Sequence, residues 1–246
     1  MKPAPAPAPD APGLRDPVGA ATLERMATAQ AFNRWMYDRL ESWIGRRVLE
    51  VGSGIGNMSQ YFADRERVVL TDTDAGYRET LRGRFAHRSN LAVGELSLPD
   101  VPDRLVAERF DTIVCLNVLE HIEDDRGALA AMRGLLVPGG RLVLLVPAVP
   151  FLYGTLDRAL GHYRRYTRPL LRERYAEAGL RVRHLEYFNL AGMPGWWVVG
   201  KVLRRDVIPQ GSLGLYDTLV PLFRLERLLP WRVGQSLIAI GERPRA

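Results

Sequence analysis

The ten residues Val48-Leu49-Glu50-Val51-Gly52-Ser53-Gly54-Ile55-Gly56-Asn57 constrain this chain more than any other stretch. Val48, Leu49 and Val51 make an apolar, partly β-branched run of the kind that builds a strand buried on both faces. Glycines at 52, 54 and 56 then permit a sharp turn and a close approach of a ligand to the backbone. A helix is expected directly after the turn, over Met58–Ala63. Strand, glycine turn and helix start aim backbone N–H groups and the positive end of a helix at one place, so a polar or anionic group is expected there. Taken alone, the glycine pattern also fits an ordinary turn.

A second strand is read at Arg67–Leu70, closing on Thr71-Asp72-Thr73-Asp74. Asp72 lies 20 residues beyond Gly52, about the separation at which an acid at the tip of the adjacent strand reaches the two hydroxyls of a ribose. Turn and acid together point to an adenosine-containing cofactor. Asp74 is placed to cap a helix over Ala75–Phe85. Leu91–Gly94 gives a short third strand, followed by Glu95, which either meets an adenine amine from the strand tip or is a loop acid. Phe110–Asn117 is a fourth buried strand, Val118–Ile122 begins the next helix, and Arg141–Val146 is a fifth strand. Tyr187–Asn189 ends a sixth, and Ser236–Glu242 reads as the last. Strands alternating with helices imply right-handed βαβ crossovers, a mostly parallel sheet, and a ligand at the carboxyl ends of the strands.

At 246 residues and 47% hydrophobic composition, the chain is read as one α/β domain over 14–246 rather than two. Its expected parts are N-terminal helices (14–45), a cofactor-binding core (46–150), a substrate-binding or lid insertion (151–235) and the last strand (236–243). Phe32, Trp35 and Tyr37 in the N-terminal helices either cover a ligand or pack. Residues 1–13, rich in Pro and Ala, read as a disordered tail without the apolar core of a signal peptide. The single cysteine, Cys115, permits no internal disulfide, so a reducing, cytoplasmic setting is expected. From Arg158 onward, 16 basic residues stand against 7 acidic ones, which favours contact with something negative or reflects solvated arginines. No compact basic run with interleaved aromatics marks a nucleic-acid surface.

With Val-Leu-Glu-Val-Gly-Ser-Gly-Ile-Gly, Thr-Asp-Thr-Asp and Asn-Val-Leu-Glu-His in this order and spacing, the chain resembles class I S-adenosylmethionine-dependent methyltransferases, in the branch acting on small molecules. The match runs from about Phe32 to Val146. The glycines follow G-x-G-x-G, whereas the dinucleotide oxidoreductase pattern needs its third glycine one residue later. The resemblance implies a Rossmann-like, seven-stranded, mostly parallel sheet with helices on both faces and the last strand antiparallel between its neighbours. It also implies S-adenosyl-L-methionine as cofactor and S-adenosyl-L-homocysteine as product. Residue by residue, it sets the Gly52-Ser53-Gly54-Ile55-Gly56-Asn57 turn under the amino-acid part of the cofactor, with Glu50 orienting that end. Asp72 falls to the ribose, Thr73 and Glu95-Leu96 to the adenine side, and Asn117-Val118 to the wall beside the methionine chain. Glu95 departs from the aspartate frequent at its position.

Pro147–Tyr166 is also similar to a group of bacterial members, through Leu156-Asp157 and Gly161-His162-Tyr163-Arg164-Arg165-Tyr166. His121, beside Glu120, and His162 are the candidate general bases, each against a packing role. Tyr153, Asp157, Tyr163, Arg164, Arg165 and Tyr166 are read as substrate-binding, with arginine forks for an anion and tyrosines for a ring. The other reading of this cluster is a solvated helix start, since Thr167-Arg168-Pro169 looks like an N-cap. Residues 190–231, apolar but interrupted, suit a lid, a homodimer face, or an interfacial contact with lipid or a lipid-linked acceptor. The expected partner is a small-molecule acceptor, without nucleic acid; Glu120-His121 alone offers too few ligands for a metal. The competing readings are an NAD-dependent oxidoreductase and a non-catalytic partner subunit that keeps the cofactor fold.

Overall fold

The computed structural model describes residues 17–206, 212–228 and 233–245. The expected tail at 1–13, Leu14, and the part of 190–231 that includes Trp231 fall outside them. The strands are β1 (Arg47–Val51), β2 (Arg67–Thr71), β3 (Leu91–Gly94), β4 (Phe110–Leu116), β5 (Leu136–Pro147), β6 (Arg181–Phe188) and β7 (Ser236–Glu242), and the helices α1 to α9 named below include the short α4 (Asp103–Val106) and α6 (Thr155–Ala159). They form one sheet in the order β3-β2-β1-β4-β5-β7-β6, with β7 antiparallel to both β5 and β6. This is the expected seven-stranded, Rossmann-like arrangement.

Alternation along the strands feeds two cores, because successive side chains leave opposite faces of a sheet. Leu49, Ile113 and Leu144 pack on one face with Leu129 and Met132 of α5 (Asp125–Leu135) and Tyr175 of α7 (Arg168–Glu177). Val48, Val114 and Leu145 pack on the other with Trp35 and Leu40 of α2 (Gln30–Leu40), Leu81 of α3 (Ala75–Arg84), and Val220 of α9 (Ser212–Phe223). Each fully buried large apolar side chain contributes about 1.5–3 kcal/mol relative to exposure.

The helix caps follow the sequence. Asp74 accepts the Tyr77 amide at 2.9 Å at the start of α3, and Thr167 accepts that of Leu170 at 3.3 Å at the start of α7. Two expected helices are shorter than read. Met58–Ala63 holds only the 3₁₀ turn Ser59–Tyr61, because the Ser59 hydroxyl is drawn down onto Glu50 and the Asn57 amide donates to the Leu23 carbonyl at 2.9 Å. Val118–Ile122 likewise holds one 3₁₀ turn, Leu119–His121; Ile122 is extended, and α5 starts afresh with Asp124 as its cap. The N-terminal aromatics pack: Trp35 and Tyr37 lie in the core, and Phe32 is edge-on to Trp35 at 6.1 Å.

Sheet register sets the site. Val51 pairs with Thr71 on one side and with Cys115 on the other, and Thr71 pairs with Gly94. The residues that follow β1, β2, β3 and β4 therefore emerge side by side, at the point where strand order reverses and where such sheets open a crevice.

Candidate active site

A cavity of about 360 Å³ opens at that crevice, lined by Gly52, Asp72, Thr73, Leu96, Val118 and His121 among others. Gly52 has φ +70°, and a Cβ there would meet Val118 Cγ2 at 2.3 Å, so both conformation and space demand glycine. Gly54, at φ +52°, lies beneath the Leu23 side chain of α1 (Pro17–Thr28), which covers the turn from outside. Asp72 ties turn to strand: its Oδ2 accepts the Gly54 amide at 2.8 Å and its Oδ1 that of Asp74 at 2.9 Å. Burial raises its pKa against those hydrogen bonds. Beneath the turn, Glu50 is buried with the Ser59 hydroxyl as partner, and burial lifts its carboxyl to about 7.

The lining mixes apolar Leu96, Leu98 and Ile122 with polar Thr73, Ser97 and Glu123. A carboxylate able to accept vicinal hydroxyls beside a slot for a flat ring fits a nucleoside. Ser53, Gly54, Gly56 and Asn57 are not among the residues lining the cavity, and Asn117 holds its backbone at φ 54° with its backbone amide on the Leu145 carbonyl. Glu95 stands at the rim, ion-paired to Arg78 at 2.9 Å.

The far wall is built from the segment after β5. Tyr166 pairs its amide with the Pro147 carbonyl and Tyr163 with that of Glu120, laying 148–166 against the Leu119–His121 turn. There the rings of His121 and His162 meet edge-on, 4.7 Å apart. Asp157, fully buried, organises the rest: it accepts from Gly154 N at 3.0 Å, Arg165 Nε at 2.7 Å and Trp196 Nε1 at 3.2 Å, and His162 Nδ1 lies at 3.0 Å. Burial would raise its pKa, but His162 and the Arg165 guanidinium outweigh it and hold the carboxyl below its usual range. Glu120 is its opposite. Both its carboxylate oxygens are buried without a hydrogen-bond partner, and burial lifts its pKa to about 8, against the nearby Arg165. Desolvation and then His162 lower the pKa of His121; the residue keeps solvent contact, and the direction is towards neutral imidazole. The fold adds a third potential ligand that spacing could not: Glu120, His121 and His162 offer ligand atoms within 4.8 Å of one another, although Arg165 already supplies positive charge there.

The expected substrate cluster mostly faces inward. Arg164 donates to the Ile122 and Glu123 carbonyls at 2.8 and 2.7 Å, and Arg165 is enclosed between Asp157 and the Ala148 carbonyl. Tyr166 is fully buried, with its hydroxyl on Asp125, and Tyr153 donates to the His162 carbonyl at 2.7 Å. In this conformation the Ile122 and Glu123 carbonyls occupy Arg164, while Arg165 spends Nε on Asp157 and Nη1 on the Ala148 carbonyl and keeps Nη2 buried without a partner; Tyr163 alone of these tyrosines is exposed. Ser97, Leu98, Ile122 and Glu123 line the cavity without having been read from sequence; their one signal is position, just past β3 and β4.

A family model described as a methyltransferase domain matches residues 49–142, the stretch from β1 to β5 that carries the glycine turn, Asp72 and His121. The chain carries a methyltransferase domain in the fold of the S-adenosylmethionine-dependent methyltransferases. The methyltransferase is 26% identical over 184 residues to a ubiquinone biosynthesis O-methyltransferase of Aeromonas salmonicida, covering 68% of this chain and 76% of that one. A protein of the same name from Xanthomonas euvesicatoria pv. vesicatoria is 28% identical over 199 residues, 75% of this methyltransferase and 77% of the relative. Among solved structures, an S-adenosylmethionine-dependent methyltransferase from Mesorhizobium loti superposes with a TM-score of 0.57 at 15% identity, over 85% and 98% of the two chains.

Proposed function

We propose that the enzyme methylates a hydroxyl of a small-molecule acceptor that carries an apolar body, with His121 as general base. The observation that carries this reading is the placement of His121 in the wall of the cavity bounded by Gly52 and Asp72. In this reading the cofactor lies between the glycine turn and Asp72, its flat base towards Leu96, Leu98 and Ile122. S-Adenosylmethionine supplies an electrophilic methyl on a positively charged sulfur, so the protein needs to position the acceptor, exclude water and remove a proton. Desolvation and His162 push His121 towards the neutral imidazole, which carries a proton on only one of its ring nitrogens. The neutral ring then keeps its other nitrogen as an acceptor for a hydroxyl proton. His162, fixed by Asp157, supports that ring from the side.

The apolar body is supported by a second cavity of about 200 Å³, lined by Phe32, Leu156, Trp196, Val199 and Tyr216 among others. Trp196 belongs to that lining and also donates to Asp157, so the His162–Asp157 cluster stands between the two cavities. The names of the relatives favour oxygen as the methylated atom.

The test is acceptor-dependent release of S-adenosylhomocysteine with hydroxyl, amine and carbon-acid acceptors of matched apolar size. The hydroxyl series is expected to turn over, and His121→Asn to lower kcat by roughly 10²- to 10⁴-fold while cofactor affinity holds. Turnover confined to amines or carbon acids rejects the oxygen reading, and an undiminished His121→Asn rejects the base.

A further inference from the structure

The helix α9 is apolar on both faces. Tyr216, Val220 and Phe223 turn inward to the second core, whereas Leu215, Leu219 and Leu222, spaced to share the opposite face, are 66%, 39% and 61% exposed. Leu225 and Leu228 extend this face through the 3₁₀ turn Arg224–Leu228. Across from it, α8 (Gly192–Trp197) and the π turn that continues it expose Trp197, Val198, Val202 and Leu203. The two elements are neighbours, since Trp196 and Val199 of one and Leu213 and Tyr216 of the other border the same apolar cavity. An apolar patch of this kind on a folded surface marks something that covers it.

Charge says what. The acids of this stretch are mostly spent inside: Asp217 accepts the Ala31 and Phe32 amides at 3.1 and 2.7 Å, and Glu226 those of Asn189 and Leu190 at 2.9 and 2.7 Å. Arg204, Arg205 and Arg227 are exposed and form no ion pair among the described residues, and Lys201 sits over the exposed Phe151 ring at 4.7 Å. Asp206 is the acid left facing solvent among the described residues of 192–228. Leucines and tryptophan ringed by unpaired arginines match the chemistry of a bilayer interface, where apolar side chains enter the acyl boundary and cations meet anionic headgroups. A second copy of the chain would bring like charges together. No helix among the described residues is long and apolar enough to cross a membrane, so the contact is peripheral.

We propose that the surface formed by α8, its π turn and α9 docks onto an anionic lipid bilayer, placing the mouth of the apolar cavity against the membrane. The inference stands on surface charge and exposure and is independent of the methylation reading; it would also bring a lipid-borne acceptor to that reading's apolar cavity.

The test is flotation of the full chain with phosphatidylcholine vesicles, with and without phosphatidylglycerol, at low and high salt. The protein is expected to float with the anionic vesicles at low salt and to stay behind with the neutral ones. Arg204→Glu with Arg205→Glu, and separately Leu215→Ser with Leu222→Ser, each weaken binding by about ten-fold or more, while the melting temperature and S-adenosylhomocysteine affinity stay unchanged. Failure to float with anionic vesicles overturns the proposal, as does a dimer in sedimentation equilibrium that the leucine variants dissociate. Loss of cofactor binding in unmodified protein would instead sink the methyltransferase reading and leave the docking result standing.

Discussion

Asp72 Oδ2 accepts the Gly54 amide at 2.8 Å, so the acid at the tip of β2 holds the glycine turn after β1 in shape as well as facing the cavity. Both roles are lost in Asp72→Ala. S-Adenosylhomocysteine affinity measured by calorimetry is expected to fall by roughly 1.5–3 kcal/mol, the range for a hydrogen bond to a charged group. Asp74→Ala is the control for local destabilisation: it removes the cap of α3, costing about 1 kcal/mol of stability, without touching the cavity wall or the glycine turn. Equal affinity loss in the two variants would show that Asp72 acts through the fold alone.

Gly52→Ala meets two obstacles that can be told apart. The backbone sits at φ +70°, and the new methyl would lie 2.3 Å from Val118 Cγ2. A destabilisation of more than about 1 kcal/mol is expected from the backbone alone. Adding Val118→Ala clears the space but not the conformation, so the double variant should recover only part of the loss in a urea titration. Full recovery would mean that crowding was the whole effect.

What the sequence made legible follows from where information is local. A buried parallel strand is a continuous apolar run, and its ligand-facing residue comes next in the chain; Gly52 and Asp72 are therefore readable from the ends of β1 and β2, whereas Leu96 and Val118 come only from the family resemblance. Arg164, Arg165 and Tyr166 are not readable in this way, since an arginine beside tyrosines looks the same whether it points at solvent or at a carboxylate. Their partners, Asp125, Asp157 and the carbonyls of Ala148, Ile122 and Glu123, become neighbours only once 148–166 folds back over the Leu119–His121 turn. The α9 stretch is legible as apolar and interrupted, with lid, dimer face and lipid contact left open; which of its leucines face outward is not, because both of its faces are apolar.

Asp157→Asn tests whether that ionic cluster supports the fold or the chemistry. The asparagine keeps the shape but leaves the Arg165 guanidinium buried without its counter-charge, an error that costs about 3–5 kcal/mol. A lower urea midpoint is expected, along with weakened turnover. His162→Gln removes the ring but not the ion pair, so turnover should fall far more than cofactor affinity or stability. If His162→Gln loses stability as severely as Asp157→Asn, the histidine is a packing residue.

Glu120 gives the protein an unusual dependence on pH. Burial raises its carboxyl to about 8 from an unfolded value of 4.5, so between those limits the native state binds a proton that the unfolded chain has released. Stability from this group is complete below pH 4.5 and is lost as pH rises towards 8, the reverse of a salt-bridged carboxylate. Glu50, raised from 4.5 to about 7, adds a slope of the same sign. His121, whose pKa is lowered, adds the opposite slope below its ordinary value, but that contribution is common to parent and variant. Glu120→Gln removes the charge and keeps the volume. Its stability relative to the parent should therefore grow steadily from about pH 5 to about pH 8, by an amount of order 1.4 kcal/mol for each unit by which Glu120 is shifted. Urea titrations of both proteins at several pH values across that window decide it: a gap that stays constant would mean that Glu120 titrates as an ordinary carboxylate, with its charge compensated by Arg165.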